Sequence, residues 1–203
     1  MHACIKCFNE ALEIDPKFVK PWNNKGQALG KLRRYDEALR CFDKALDLAL
    51  ESSLEKLDPK YVASIWDNKG YVLNSQKRYE EAIERFDKAL KLDPKYASSW
   101  TNKAFALLNL QRYEEAIKWY DKSLELNPKY VYAWINKGFS FSKLKKHEKA
   151  LECFEKAIEI KPDMAVAWKL KGRLLKKLGK SEEASNCFKK ASELEQTYTK
   201  RQK

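Results

Sequence analysis

Residues 94–127, PKYASSWTNKAFALLNLQRYEEAIKWYDKSLELN, indicate the fold of the chain because closely similar sequences occur before and after them. Prolines and tryptophans mark the recurrence at a fixed interval of 34 residues: Pro94, Pro128 and Pro162; Trp66, Trp100, Trp134 and Trp168. Self-similarity at this period is typical of a solenoid, in which helical repeats stack one on the next. We number positions within the repeat so that Trp100 is position 4 and Pro94 is position 32 of the preceding repeat.

Each repeat is predicted to form two helices joined by a short turn. In the quoted repeat, the apolar residues at 107–110 close the first helix and residues 111–112 form the turn. Glu114 and Glu115 open the second helix, where acidic side chains favour the positive end of the helix dipole. That helix ends at Pro128, because proline cannot continue a helix and disfavours the α conformation in the residue before it. The chain is therefore predicted to be all-α.

The recurring positions set the repeat boundaries. Residues 1–16 hold only the second helix of a partial repeat, with Cys4 at position 20 and Phe8 at position 24. Ser185 and Ser192 replace the Leu or Ile of earlier repeats, which predicts a water-facing cap at the end of the array. The predicted single array consists of repeats at 19–58, 63–96, 97–130, 131–164 and 165–198, followed by a polar tail at 199–203 that is expected to fray.

The first full repeat carries ten extra residues near 46–60. Leu46, Leu50, Leu54 and Leu57 recur there at helical spacing, and no proline or glycine precedes Pro59. This pattern predicts that the second helix extends by about two to three turns. The extension is either a protruding contact site or a stripe that packs on the neighbouring helix.

The positions that recur in phase carry a resemblance to a known family. Trp occupies position 4, Gly or Ala position 8, Ala position 20, Phe or Tyr position 24 and Pro position 32. This pattern resembles the tetratricopeptide repeat (TPR) family over nearly the whole chain. The resemblance implies a right-handed α-solenoid, or superhelix, of about eleven helices that acts as a non-catalytic scaffold for protein–protein interaction. Position 7, usually Leu in the family, departs from the pattern with a lysine in every repeat: Lys25, Lys69, Lys103, Lys137 and Lys171.

The core is expected to combine small and aromatic side chains. Position 8 is small in the first helix and position 20 is alanine in the second, so the two helices are expected to approach closely at these positions. Trp at position 4 and Phe or Tyr at position 24 are expected to fill the wider spaces of the core. The lysine at position 7 is expected to lay its stem along apolar surface and keep its charge in water.

A candidate peptide groove follows one face of the first helices, at positions 2, 5, 6, 9, 12 and 13, which in TPR proteins line the concave side. An asparagine amide both donates and accepts, so a row of them can hold the backbone of an extended peptide, as in some family members. Asparagine at position 6 is also common in members without such a use. The row at position 6 is Asn24, Asn68, Asn102 and Asn136, and Leu170 interrupts it in the last repeat.

Aromatic and basic side chains join the asparagines on the same face. Tyr71, Phe105 and Phe139 at position 9 either form pockets for apolar side chains of a bound segment or pack on the adjacent repeat. The basic residues, which suggest an acidic or mixed peptide, are Lys143, Lys169, Arg173, Lys176 and Lys177. Position 5 reads Asn23, Asp67, Thr101, Ile135 and Lys169, which is not the set that clamps a terminal carboxylate in the family's chaperone adaptors.

Composition narrows the choice of partner and compartment. The net charge is +12, and residues 137–203 hold 18 Lys and Arg against 9 Asp and Glu, which suggests an acidic partner or a solvated lysine-rich surface. No stretch is long and apolar enough for a membrane span, and five cysteines do not form a disulfide framework, so a cytoplasmic protein is expected.

No catalytic, cofactor or metal site is predicted. The spacing of Cys4 and Cys7 resembles a metal or redox motif, but cysteine recurs at position 23 of the repeat, which accounts for Cys7. The two histidines of the chain are too few to complete a set of zinc ligands with these cysteines. The expected partner is a protein or peptide and not a nucleic acid. The alternatives are an RNA-binding helical-repeat protein, which the basic charge favours, and a self-assembling homo-oligomer that stacks through the open N-terminal repeat.

Overall fold

The computed structural model describes residues 2–51 and 57–200, which form eleven α-helices and no β-strand within those ranges. This confirms the predicted all-α class. Two compact units, Met1–Leu110 and Gln111–Lys203, are described separately below. The helices of the first unit are α1 (His2–Ile14), α2 (Val19–Lys31), α3 (Tyr35–Glu51), α4 (Pro59–Ser75), α5 (Tyr79–Leu92) and α6 (Ala97–Asn109). Those of the second unit are α7 (Tyr113–Leu126), α8 (Val131–Lys143), α9 (His147–Ile160), α10 (Ala165–Lys177) and α11 (Ser181–Lys200).

Within each unit, a helix packs on the helices before and after it in the chain. In the first unit, α2 pairs with α3 and α4 with α5, and α3 then packs on α4 as α5 does on α6. In the second unit, α8 pairs with α9 and α10 with α11, and α7 and α9 pack on the helices that follow them. This is the arrangement expected when each repeat cannot bury its own apolar faces alone.

The turn between the paired helices uses a left-handed residue at position 15. Lys77 has φ 63°, and its N–H donates to the carbonyl of Asn74 while the N–H of Arg78 reaches the carbonyl of Leu73. These two bonds are the pattern of a helix ending in a Schellman motif, whose left-handed position favours glycine. Only the last repeat has glycine there; the position is occupied by Arg33, Lys77, Gln111, Lys145 and Gly179.

Within a repeat, the backbone at position 8 of the first helix lies close to the aromatic ring at position 24 of the second helix. A Cβ added to Gly70 would lie 2.6 Å from Cε1 of Phe86, and one added to Gly138 would lie 2.8 Å from Cε1 of Phe154. The glycine therefore makes room for the ring, and the expected contact of position 8 with the alanine at position 20 is not its main constraint. The rings at position 24 are almost fully buried in four repeats: Phe42, Phe86, Tyr120 and Phe154.

The tryptophans at position 4 lie at the edge of the core. They are partly buried and pack against the buried clusters, so they contribute to the core from its edge and do not fill its centre. The indole Nε1 of Trp134 donates to the carbonyl of Pro128 at 2.8 Å, and the same bond joins Trp22 to Pro16, Trp100 to Pro94 and Trp168 to Pro162. The tryptophan thus fixes the loop that enters its own helix, which explains why Trp and Pro recur together.

Four of the five lysines at position 7 form ion pairs with the second helix of the preceding repeat. Lys137 Nζ lies 2.5 Å from Asp121 Oδ1 and 5.0 Å from the centroid of the Trp134 ring. The lysine side chains in these pairs are only 11–20% exposed, as expected for buried stems. The equivalent pairs are Lys69 with Asp43, Lys103 with Asp87 at 2.6 Å and Lys171 with Glu155 at 2.8 Å.

Part of the ten-residue insertion in the first full repeat lengthens α3, and part of it lengthens α4. α3 continues to Glu51, about one turn beyond the 14-residue second helices, and the predicted continuation through Leu54 falls on residues 52–56, outside the described residues. Leu46 and Leu57 pack in the core of this unit, whereas Leu50 is 64% exposed. α4 begins at Pro59, four residues before the predicted start of the repeat, because proline fits the first helical position and the Asp58 carboxylate accepts from Lys60 N–H.

The last helix has the polar outer face predicted for a cap. Ser185 and Ser192 are exposed, while Ala184, Cys187 and Ala191 are buried against the rest of the unit. α11 runs on to Lys200, so residues 199–200 belong to the helix and not to a separate tail. No proline or glycine occupies residues 194–200 to stop it.

Candidate functional site

The asparagines at position 6 are accessible but partly engaged with neighbouring repeats. Asn24 is exposed, and Asn68, Asn102 and Asn136 are half-buried. Asn68 Nδ2 donates to Asn23 Oδ1 at 3.1 Å, and Asn102 Nδ2 donates to Asp67 Oδ1 at 3.2 Å. Within the described part of the chain, the side-chain oxygens of Asn68 and Asn102 accept no hydrogen bond, so each amide retains an acceptor and a second donor.

Position 5 is largely buried, contrary to the expectation from the helical wheel that it lines the groove throughout, although Asp67 also borders a cleft between α2 and α4. Asn23, Asp67, Thr101 and Ile135 are buried, and in the first unit the first helix of the next repeat covers Asn23 and Asp67. Asn23 and Asp67 link consecutive first helices, since each accepts a hydrogen bond from the position 6 amide of the following repeat. Position 5 therefore contributes to the contact between repeats.

Asp67 is a candidate functional residue that the sequence reasoning missed. It is 6% exposed, and its Oδ1 accepts from Ser99 Oγ at 2.6 Å as well as from Asn102. Burial raises the pKa of Asp67, and the two neutral hydrogen bonds oppose this shift. Its signal in the sequence is that it is the only acidic residue at position 5.

The first unit has a cleft of about 280 Å³ between α2 and α4. Two of the predicted groove residues, Asn68 and Tyr71, lie in its wall, and Tyr71 is 60% exposed. Phe105 of α6 is 39% exposed, so its ring also remains accessible on this unit. The remaining residues of the wall are Gln27, Gly30, Lys31, Phe42, Asp67 and Val72.

The second unit has an equivalent cleft of about 300 Å³ between α8 and α10. It brings together four predicted residues: Phe139, Lys143, Arg173 and Lys177. Lys143 Nζ lies 5.2 Å from the centroid of the Phe139 ring, within the range of a cation–π interaction. Leu170, Leu174 and Phe154 provide an apolar floor, and no acidic residue is part of the wall. The cleft thus combines an apolar surface with positive charge.

Two predicted basic residues lie outside this cleft. Lys169 Nζ pairs with Glu195 Oε1 at 2.6 Å, so its charge is already balanced by α11. Lys176 is exposed but is not part of the wall. The pairing of Lys169 was not visible from the repeat, because it depends on the continuation of α11 past position 30.

Metal ligation, membrane insertion and thiol exposure define three other features of the described residues. The residues that the structure describes contain no group of three or more His, Cys, Asp or Glu arranged to hold a metal ion. None of the described helices meets the length and hydropathy that a membrane span requires. Cys41, Cys153 and Cys187 are buried, whereas Cys4 and Cys7 are exposed on α1.

Solved structures share this fold. MamA is similar over 86% of this chain and 96% of its own, with 25% identity and a TM-score of 0.71. MamA from Desulfovibrio magneticus RS-1 (residues 41 to the end) has 25% identity and a TM-score of 0.72 over 88% and 96% of the two chains. YrrB, described as a TPR protein with an unusual peptide-binding site, has 24% identity and a TM-score of 0.66 over 92% and 91%. No curated protein sequence matches the chain.

Family models match along most of the sequence. Four models, each described as tetratricopeptide repeat, match residues 18–95, 68–131, 131–164 and 165–198. Together with the TPR structures above, they support a protein-interaction scaffold with protein or peptide partners. The chain belongs to the tetratricopeptide repeat family.

Proposed function

We propose that this chain is a non-catalytic scaffold that binds an extended peptide segment, acidic or mixed in charge, along the first helices of its repeats. The single observation that carries the proposal is the cleft of the second unit, where Phe139, Lys143, Arg173 and Lys177 surround one apolar depression. An apolar floor with a cationic rim suits an apolar side chain flanked by carboxylates. YrrB shows that a TPR fold of this kind can carry a peptide-binding site.

The amides at position 6 supply the part of binding that does not depend on peptide sequence. A peptide unit has one donor and one acceptor, and the accessible groups of Asn68 offer the complementary pair. The exposed rings of Tyr71 and Phe105 provide apolar contact beside these amides. Five free thiols are consistent with the proposed cytoplasmic setting, where cysteines remain reduced.

A displayed library of random dodecapeptides, selected on the intact chain, tests this function. Enriched peptides are then labelled with fluorescein, and their Kd values are measured by fluorescence polarisation. We expect Asp or Glu next to an apolar residue among them, and Arg173→Ala to weaken such peptides by about tenfold, the loss of one charge-assisted contact. Lys189→Ala is the matched control, since it removes one positive charge from an exposed site on α11.

Two results would contradict the proposal. Equal losses in Arg173→Ala and Lys189→Ala would show that only net charge matters and that the cleft is not the site. The absence of any enriched peptide, together with binding of a random RNA pool whose affinity falls steeply with salt, would favour the RNA-binding alternative.

A further inference from the structure

The cleft of the first unit contains a buried carboxyl group that has no cationic partner among the described residues. Asp67 lies in its wall, and within the described residues no Lys, Arg or His forms an ion pair with this carboxylate. Lys31 also lines the cleft, but it is exposed and unpaired with Asp67. Both hydrogen bonds to Asp67 come from neutral groups and end on Oδ1, so Oδ2 has no partner in this part of the chain. Burying a carboxylate in this way opposes folding unless a positive charge completes the site.

The fold itself does not require this carboxyl group. In the preceding repeat, Asn23 occupies the same position and accepts the same hydrogen bond from the following first helix, through Asn68. Asn102 gives this bond to Asp67 at nearly the same distance. A neutral amide therefore satisfies the contact between repeats, so this contact does not require an acidic side chain at Asp67.

The rest of the cleft suits a long side chain with a charged end. Phe42 and Val72 offer apolar walls for an aliphatic stem, and the 60% exposed ring of Tyr71 can stack on a cation. The volume of about 280 Å³ is just below the roughly 300–1,000 Å³ of small-molecule pockets, which favours one side chain over a whole ligand. The equivalent cleft of the second unit has the opposite character, with Arg173, Lys143 and Lys177 in its wall.

We propose that the cleft between α2 and α4 is a subsite for one lysine or arginine side chain of the bound polypeptide, with Asp67 as its counter-ion. Tyr71 covers the stem of that side chain and Asn68 holds the adjacent peptide backbone. This inference rests on the proposed peptide-binding function. It assigns a basic residue to the partner, whereas the second unit's cleft selects acidic ones, so the partner segment is of mixed charge.

Peptides selected from the random dodecapeptide library also test this inference. Each lysine in an enriched peptide is replaced by norleucine, which keeps the stem and removes the charge, and each arginine by citrulline. Kd values are measured on the wild-type chain, on Asp67→Asn and on Asp47→Asn, which removes an exposed carboxylate from α3 as a matched control. We expect one basic residue whose replacement weakens binding at least tenfold on the wild type and on Asp47→Asn, but less than twofold on Asp67→Asn.

The possible results separate this inference from the function on which it rests. Enriched peptides without a recurring basic residue, or a replacement that weakens binding equally on Asp67→Asn, would overturn the subsite while peptide binding stands. If no peptide is enriched, the proposed function fails and the subsite with it. Asp67→Asn is expected to fold, because asparagine already occupies this position at Asn23. Asp67→Thr, the residue found at Thr101, is the second variant, and a thermal melt checks both.

Discussion

The residue with a left-handed conformation in the turn between paired helices, Lys77 in the second full repeat, allows a direct test of how this turn affects the free energy of unfolding. Lys77 is exposed and has φ 63°, a conformation that costs a residue with a Cβ about 1–2 kcal/mol. Lys77→Gly removes this cost, but glycine gains about 0.4–1 kcal/mol of freedom in the unfolded chain. The net expectation is a stabilisation of about 0.5–1 kcal/mol, because both backbone hydrogen bonds of the turn, 3.0 and 2.9 Å long, are retained.

Urea denaturation followed by far-UV circular dichroism measures this change. The matched control is Lys44→Gly, which removes an exposed lysine from the middle of α3 and should cost about 1 kcal/mol. In the second unit, Gly179, with φ 78°, provides the reverse test, since Gly179→Ala should lower stability. Lys77→Gly could instead be no more stable than the wild type while Lys44→Gly loses stability as expected. In that case the left-handed conformation of Lys77 would not destabilise the fold by the expected free energy.

Three further outcomes follow from buried and paired groups. A double-mutant cycle of Asp121→Asn and Lys137→Met should give a coupling energy of about 0.5–1 kcal/mol that falls with added salt, and zero coupling in low salt would contradict the pairing. Burial raises the pKa of Asp67, so ionisation of this carboxyl group lowers the stability of the fold as the pH rises through that pKa. In thermal melts at pH 7, Asp67→Asn should therefore be more stable than the wild type. This difference in stability should disappear below about pH 4, where the carboxyl group is protonated in both the folded and the unfolded chain. Burial raises the pKa of Cys153 to about 11, so maleimide should label the two exposed thiols of α1 long before this one, and equal labelling rates would contradict its burial.

Most of the fold was predictable because the signals are local and repeat in phase. The 34-residue period placed the helices, and position 24 marked the buried rings. The sequence did not reveal that Pro59 begins a helix, since proline is compatible with both a helix start and an interhelical turn, and the Asp58 cap decided between them. Hydrophobicity predicts that the tryptophans lie in the core. It does not predict that the indole N–H of Trp134 and its equivalents donates to the carbonyl of a proline, which keeps these rings at the surface edge of the core.

The candidate site was only partly predictable. The helical wheel grouped positions 5, 6 and 9 on one face, but it holds no information about the next first helix, which buries position 5. The sequence alone therefore shows Asp67 as one residue outside the family's clamp motif and does not show that its carboxyl group is buried. Lys169 was assigned to the groove because its partner Glu195 lies on a stretch of α11 that the repeat pattern does not describe. Such contacts depend on tertiary packing between elements far apart in sequence.

The ion pairs between repeats have a consequence for how the chain tolerates rearrangement. From the first full repeat to the fourth, each repeat presents a carboxylate at position 25 to the lysine at position 7 of its successor, as Asp121 does to Lys137 and Glu155 to Lys171. Deleting residues 131–164 would bring Asp121 opposite Lys171 and recreate the same pair at the new junction. Duplication of a whole repeat would do likewise. Recombination of these repeats in steps of one repeat thus keeps the ion pair at the new junction, which removes one electrostatic barrier to a change in the length of the array.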